Sequence, residues 1–127
     1  MRLPKILISF FLLSLYGISL SANAEQAQLK HFASGSYQQL LKQYADKPIV
    51  VMIWSIHCTT CLEKMPLLSE LRKNKPDINL IMIATDDVSA TNQVRSILNE
   101  NKLDQVDNWI FADANPQKLR YEIDPKW

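Results

Sequence analysis

The sequence predicts an α/β fold built on a parallel sheet, and three observations carry that prediction. Two apolar runs, Ile49 to Ser55 and Ile78 to Ala84, lack the polar alternation of a half-exposed strand, as strands covered on both faces do. Between them lies a helix-length segment, Thr59 to about Asn74, with Leu62, Met65, Leu68 and Leu71 along one face. Arg72, Lys73 and Lys75 at its end complement the negative pole of a helix. Strand, helix, strand is the βαβ unit, whose crossover is right-handed.

The elements follow in order. Arg2 and Lys5 precede an apolar run from Ile6 to Leu20 that ends in Ser21-Ala22-Asn23-Ala24, and the small residues Ala22 and Ala24 suit a signal-peptidase site. The run is shorter than the roughly 20 residues a spanning helix needs, so residues 1–24 are expected to be a cleaved leader rather than a membrane anchor. Both cysteines lie far downstream, so no lipid-modified N-terminus is expected. The domain is then expected over residues 25–127.

The 127 residues are 47% hydrophobic and 21% charged, as in one ordinary globular domain. Loss of Arg2 and Lys5 with the leader leaves fewer basic than acidic side chains, and nothing in that balance attracts nucleic acid. An exported chain sits where disulfides persist, which in a bacterium is the periplasm or the outer face of the membrane.

Ala27, Leu29 and His31 alternate with other residues in a way that fits a short edge strand. From Ser36, the positions Tyr37, Leu40, Leu41 and Tyr44 follow helical spacing, with Ser36 as the expected N-cap and Asp46-Lys47-Pro48 as the stop. After Thr85-Asp86-Asp87 comes a helix capped by Ser89, with Val94, Ile97 and Leu98 inward. Asn108 to Ala112 reads as a short strand, and Pro116 to Tyr121 as a helical turn. Gly17 and Gly35 are the only glycines, which excludes a glycine-rich phosphate loop.

The chemistry concentrates in Cys58-Thr59-Thr60-Cys61, which holds both cysteines of the chain. A C-x-x-C pair at a strand-to-helix junction can open and close as a disulfide. A purely structural bridge here closes a very small loop and gains little chain entropy. With the helix starting near Thr59, Cys58 sits where free backbone N–H groups favour an anion. Cys58 is therefore the attacking thiol, and Cys61, one turn deeper, the resolving thiol. His57 can stabilise the Cys58 thiolate when protonated or accept its proton when neutral; the alternative is a solvent-facing histidine that tunes nothing. Pro66 either bends the helix or ends it at Met65 before a restart, and spacing alone leaves that open.

Metal binding is the competing chemistry. A structural zinc site needs four ligands, and only His31 and His57 remain to join the cysteines. Two thiolates suit Cu(I) better, but no methionine or histidine follows at a telling spacing. No metal and no cofactor beyond the redox-active Cys58/Cys61 pair is expected.

Ile53-Trp54-Ser55-Ile56-His57-Cys58-Thr59-Thr60-Cys61, followed by Leu62-Glu63-Lys64-Met65-Pro66-Leu67-Leu68, resembles the F-W-A-x-W-C-x-x-C-x-x-E-x-P-x-L signature of thioredoxin-like proteins. The nearest subgroup is the exported TlpA/ResA type. The resemblance implies a three-layer α/β/α thioredoxin-like fold with a mostly parallel central sheet. It also implies that Trp54 packs beside the active site, that Cys58 is the nucleophile and Cys61 resolves, and that Pro66 is the helix-kinking proline.

Its implied activity is reduction of protein disulfides outside the cytoplasm, including those of apocytochrome c during haem attachment, with a membrane electron donor as partner. Two residues depart from the pattern. His57 replaces the tryptophan usual before the first cysteine, and Met52 stands where thioredoxin has a buried aspartate. The family also continues into a cis-proline loop, a hairpin and a last helix, so the chain, which stops at Trp127, is expected to be a truncated form. That would leave Ile49 to Ser55 at an open edge, which tends to pair with other chains; the rival is a natural short form binding a partner there.

Two functions are weighed. The first is an exported thiol–disulfide oxidoreductase, a reductant of periplasmic protein disulfides. The second is a non-catalytic thioredoxin-like binding module or copper carrier, against which the intact C-x-x-C pair argues, since packing alone needs neither thiol.

Overall fold

The computed structural model describes residues 26–127; the leader expected over residues 1–24 lies outside them. Among the described residues nine elements follow one another: β1 (Leu29–Phe32), α1 (Ser36–Gln43), β2 (Ile49–Trp54), α2 (Thr59–Asn74), β3 (Asn79–Ala84), a single 3₁₀ turn (Val88–Ala90), α3 (Thr91–Glu100), β4 (Asp107–Phe111) and α4 (Pro116–Ile123). Among the described residues the sheet has four strands in the order β1-β4-β3-β2, and every neighbouring pair is parallel. This is the α/β architecture the two apolar runs require.

Strand alternation sorts the side chains onto two faces. Val50, Met52 and Trp54 share one face with Leu80, Met82, Ala84 and Ile110, where they pack with Met65 of α2 and Val94 and Leu98 of α3. Ile49, Val51, Ile81, Ile83, Trp109 and Phe111 form the other face, packed with Phe32, Leu40 of α1 and Leu119 of α4. Each layer buries one stripe of apolar side chains, and each large side chain so buried stabilises the fold by about 1.5–3 kcal/mol.

The two apolar runs differ in burial. β3 is buried along Leu80–Ala84 because strands flank it on both sides. β2, expected to be covered on both faces, is half-buried from Ile49 to Ile53, and only Trp54 is fully enclosed. It lies at the edge of the described sheet, where strand pairing is on one side only.

Two capping expectations are corrected by the backbone. The N-cap of α1 is Gly35, held at φ 86°, a left-handed conformation that glycine adopts without steric cost. Ser36 is instead the first helical residue, and its buried hydroxyl accepts from the Ala33 N–H at 2.9 Å. The N-cap of α3 is Ala90 rather than Ser89 and makes no side-chain cap bond; the 3₁₀ turn before it is capped by Asp87, whose carboxylate accepts the Ser89 N–H at 2.9 Å. That bond, with further donation from the same turn, holds the Asp87 carboxyl below the usual carboxylate range.

α2 runs unbroken through Pro66. The proline therefore sits inside a continuous helix and removes the N–H that the Leu62 carbonyl would otherwise accept. Its own ring is exposed.

Candidate redox site

The parallel register pairs Trp54 with Ala84 at the C-terminal ends of β2 and β3. The residues that follow, Ser55 to Cys58 and Thr85 to Asp87, therefore emerge side by side. At that end Cys58 and Cys61 are joined as a disulfide, with Cα atoms 5.2 Å apart.

Cys58 is the N-cap of α2, in extended backbone geometry, and its sulfur accepts the Cys61 N–H at 3.3 Å. A helix N-terminus carries N–H groups with no intrahelical acceptor, and a sulfur in the capping position takes up one of them. The Thr60 hydroxyl lies 3.6 Å from the same sulfur, a second donor once that sulfur is an anion. The Cys61 sulfur lies instead 3.9 Å from the Ile53 carbonyl oxygen, an acceptor that favours a protonated thiol in the reduced state. Both residues are half-buried, so hydrogen bonding, not exposure, separates them.

Trp54 is buried at the end of β2 in the cluster against which Cys61 and Leu62 pack, and its carbonyl accepts from the Thr85 N–H at 2.8 Å. Met52 lies two residues back on the same face, so that position offers an apolar thioether and no proton acceptor. His57 is exposed, and its backbone N–H donates to the Ser55 hydroxyl oxygen at 3.1 Å. Among the described residues its ring makes no hydrogen bond to Cys58. Pro66 stands two turns along α2, exposed like its neighbour Leu67.

One residue of the site escaped the sequence reading. Asp86 accepts from the Ser55 hydroxyl at 2.9 Å and from the Ile56 N–H at 3.0 Å. The only signal for it was positional, since an acid just after a strand that pairs in parallel with the motif strand must emerge beside the motif. A groove of about 760 Å³ lies elsewhere. It is lined by Arg72, Lys73, Asn79, Lys102 and Asp107 at the opposite end of the strands, and plays no part in the cysteine chemistry.

A parallel sheet layered by helices, with a C-x-x-C disulfide at the strand-to-helix junction, defines a thioredoxin-like domain. The family model described as Redoxin matches residues 21–121, and the chain belongs to the Redoxin family. No curated protein and no solved structure matches the chain. Family membership and the Cys58–Cys61 pair together point to thiol–disulfide redox chemistry. Among the described residues, no helix is long and apolar enough to cross a membrane.

Proposed function

We propose that the chain is an exported thiol–disulfide oxidoreductase of the TlpA/ResA type that reduces disulfides of periplasmic proteins, the disulfide of apocytochrome c being one such substrate. The observation that carries this reading is the capping geometry of Cys58, whose sulfur takes an N–H from Cys61 at the start of α2.

In the reduced chain the Cys58 thiolate attacks one sulfur of a substrate disulfide, and the other substrate sulfur leaves as a thiolate. Cys61 then loses its proton and attacks the Cys58 sulfur. The second substrate thiolate departs and the Cys58–Cys61 bond forms. Two electrons pass to the substrate, and a dithiol on a membrane electron donor returns them. With Met52 in place of an acid, the Cys61 proton goes to solvent or to the departing thiolate.

The test is reduction of insulin disulfides by the full chain with dithiothreitol as the electron source. Turnover is expected, Cys58→Ser should abolish it, and Cys61→Ser should stall as a mixed disulfide. Activity that survives Cys58→Ser refutes the reading. Equilibration with glutathione is expected to place the couple nearer about −270 mV than about −120 mV, and a value at the oxidising end refutes the reductant role. Export predicts a periplasmic form that begins at Glu25, read by N-terminal sequencing.

A further inference from the structure

We propose that Asp86 is a positioning residue for Cys58, acting through Ser55 as a clamp on the loop that carries the attacking sulfur. The proposal rests on the redox reading above and deepens it.

Both carboxylate oxygens of Asp86 are engaged, one by the Ser55 hydroxyl at 2.9 Å and the other by the Ile56 N–H at 3.0 Å. The Ser55 oxygen in turn accepts the His57 N–H at 3.1 Å, and the Ser55 carbonyl accepts the Cys58 N–H at 3.0 Å. Because Ser55 Oγ accepts from His57, its own proton is committed to Asp86. The whole stretch Ser55–Cys58 is therefore tied to the end of β3 through one side chain. Hydrogen bonds to a charged acceptor are roughly twice as strong as neutral ones, so this carboxylate is a firm anchor for a segment that has no strand or helix of its own.

The clamp matters unequally to the two redox states. In the oxidised chain the bond to Cys61 holds the Cys58 sulfur in place. In the reduced chain that tether is gone, and the loop, together with the Leu62 N–H donated to the Cys58 carbonyl at 3.0 Å, keeps the sulfur in the N-cap position where the Cys61 N–H reaches it. Loosening the loop therefore disfavours the dithiol form and its thiolate more than the disulfide. Asp86 is in this way a determinant of Cys58 nucleophilicity and of the potential of the pair.

The experiment compares Asp86→Ala, Asp86→Asn and Ser55→Ala in the full chain. Two quantities are read: the rate at which iodoacetamide alkylates Cys58 at neutral pH, and the equilibrium constant with glutathione. Asp86→Ala should slow alkylation five- to tenfold and make the couple more reducing by the same factor, about 20–30 mV at 29.6 mV per tenfold. Ser55→Ala should move both in the same direction by about half as much on a logarithmic scale. It is also the milder change should Asp86→Ala fail to fold.

Asp86→Asn keeps an oxygen for the Ile56 N–H and presents an N–H to Ser55 Oγ, with neutral bonds in place of charge-assisted ones, so it should recover most of the wild-type alkylation rate. Wild-type alkylation and potential in Asp86→Ala overturn the proposal, as does an Asn variant as slow as the Ala variant. Insulin reduction is measured alongside. A wild-type chain inactive on insulin refutes the oxidoreductase reading, whereas alkylation and potential report on the clamp irrespective of that result.

Discussion

The backbone N–H of Cys61 points at the sulfur of Cys58 across 3.3 Å, while the sulfur of Cys61 faces the Ile53 carbonyl oxygen. One sulfur is thus placed against a donor and the other against an acceptor, and the two thiols should differ in acidity. Alkylation at neutral pH, followed by mass spectrometry, should modify Cys58 in Cys61→Ser at least about tenfold faster than Cys61 in Cys58→Ser. Equal rates would remove the basis for assigning attack to Cys58.

Away from the site, Tyr44 at the end of α1 donates its hydroxyl to Asp107 at 2.9 Å, and Lys30 pairs with the other carboxylate oxygen at 2.8 Å. Burial, then the Asp107 hydrogen bond and charge, push the Tyr44 phenol up to about 12. A raised folded-state value means the folded chain keeps a proton that the unfolded chain gives up, so stability falls as pH rises through the interval from about 10 to about 12. Urea unfolding followed across that range should show the decline in wild type and a flatter response in Tyr44→Phe. At pH 7 the variant should lose about 1 kcal/mol.

The opposite sign holds for Glu122 in α4. Its carboxylate accepts the Gly35 N–H at 2.9 Å and the Ser34 hydroxyl at 2.7 Å, and those two bonds, the backbone one first, lower its carboxyl from the ordinary glutamate value of 4.5. This contribution is present at neutral pH and is lost as pH drops below that value through the folded-state one. Glu122→Gln should be less stable than wild type at pH 7 and converge with it in acid. A constant difference between pH 7 and pH 3 would refute the assignment.

Asn108 of β4 is buried, and its amide nitrogen donates to the carbonyls of Leu103, Val106 and Asp104 at 2.9, 3.0 and 3.3 Å. It fastens the whole connection between α3 and β4. Asn108→Leu leaves those carbonyls without their donor and should cost about 2–3 kcal/mol in urea unfolding. A loss under about 0.5 kcal/mol would mean that the connection holds itself.

The motif helix was the most legible element, because its limits are written in local chemistry. Cys58 and Thr59 follow an apolar strand and a basic turn closes the helix, so Thr59–Asn74 is found where the pattern puts it. Caps were less legible, since they depend on backbone geometry. Ser36 has the right side chain for an N-cap, yet Gly35 takes the position by adopting a positive φ, and Ser36 turns its hydroxyl back to Ala33. The turn expected from Pro116 to Tyr121 extends to Ile123, which packs with the cluster around Leu40 and Leu119.

At the site, the cysteine pair was plain from spacing alone. Asp86 was not, because it read as part of a linker. Its partners Ser55 and Ile56 lie about thirty positions away, and only the strand register brings them together.

The sheet order carries a consequence for how the chain is made. β1 pairs with β4 and with no other described strand, and its Lys30 meets an acid 77 positions later in Asp107. While the ribosome is still making the middle of the protein, the first strand has nowhere to dock. β2, α2 and β3 can assemble early from near neighbours, whereas β1 must wait until β4 exists, because contacts between distant segments carry the larger loop-closure cost. β1 is thus the last of the described strands to be sewn in, although it is the first to be made.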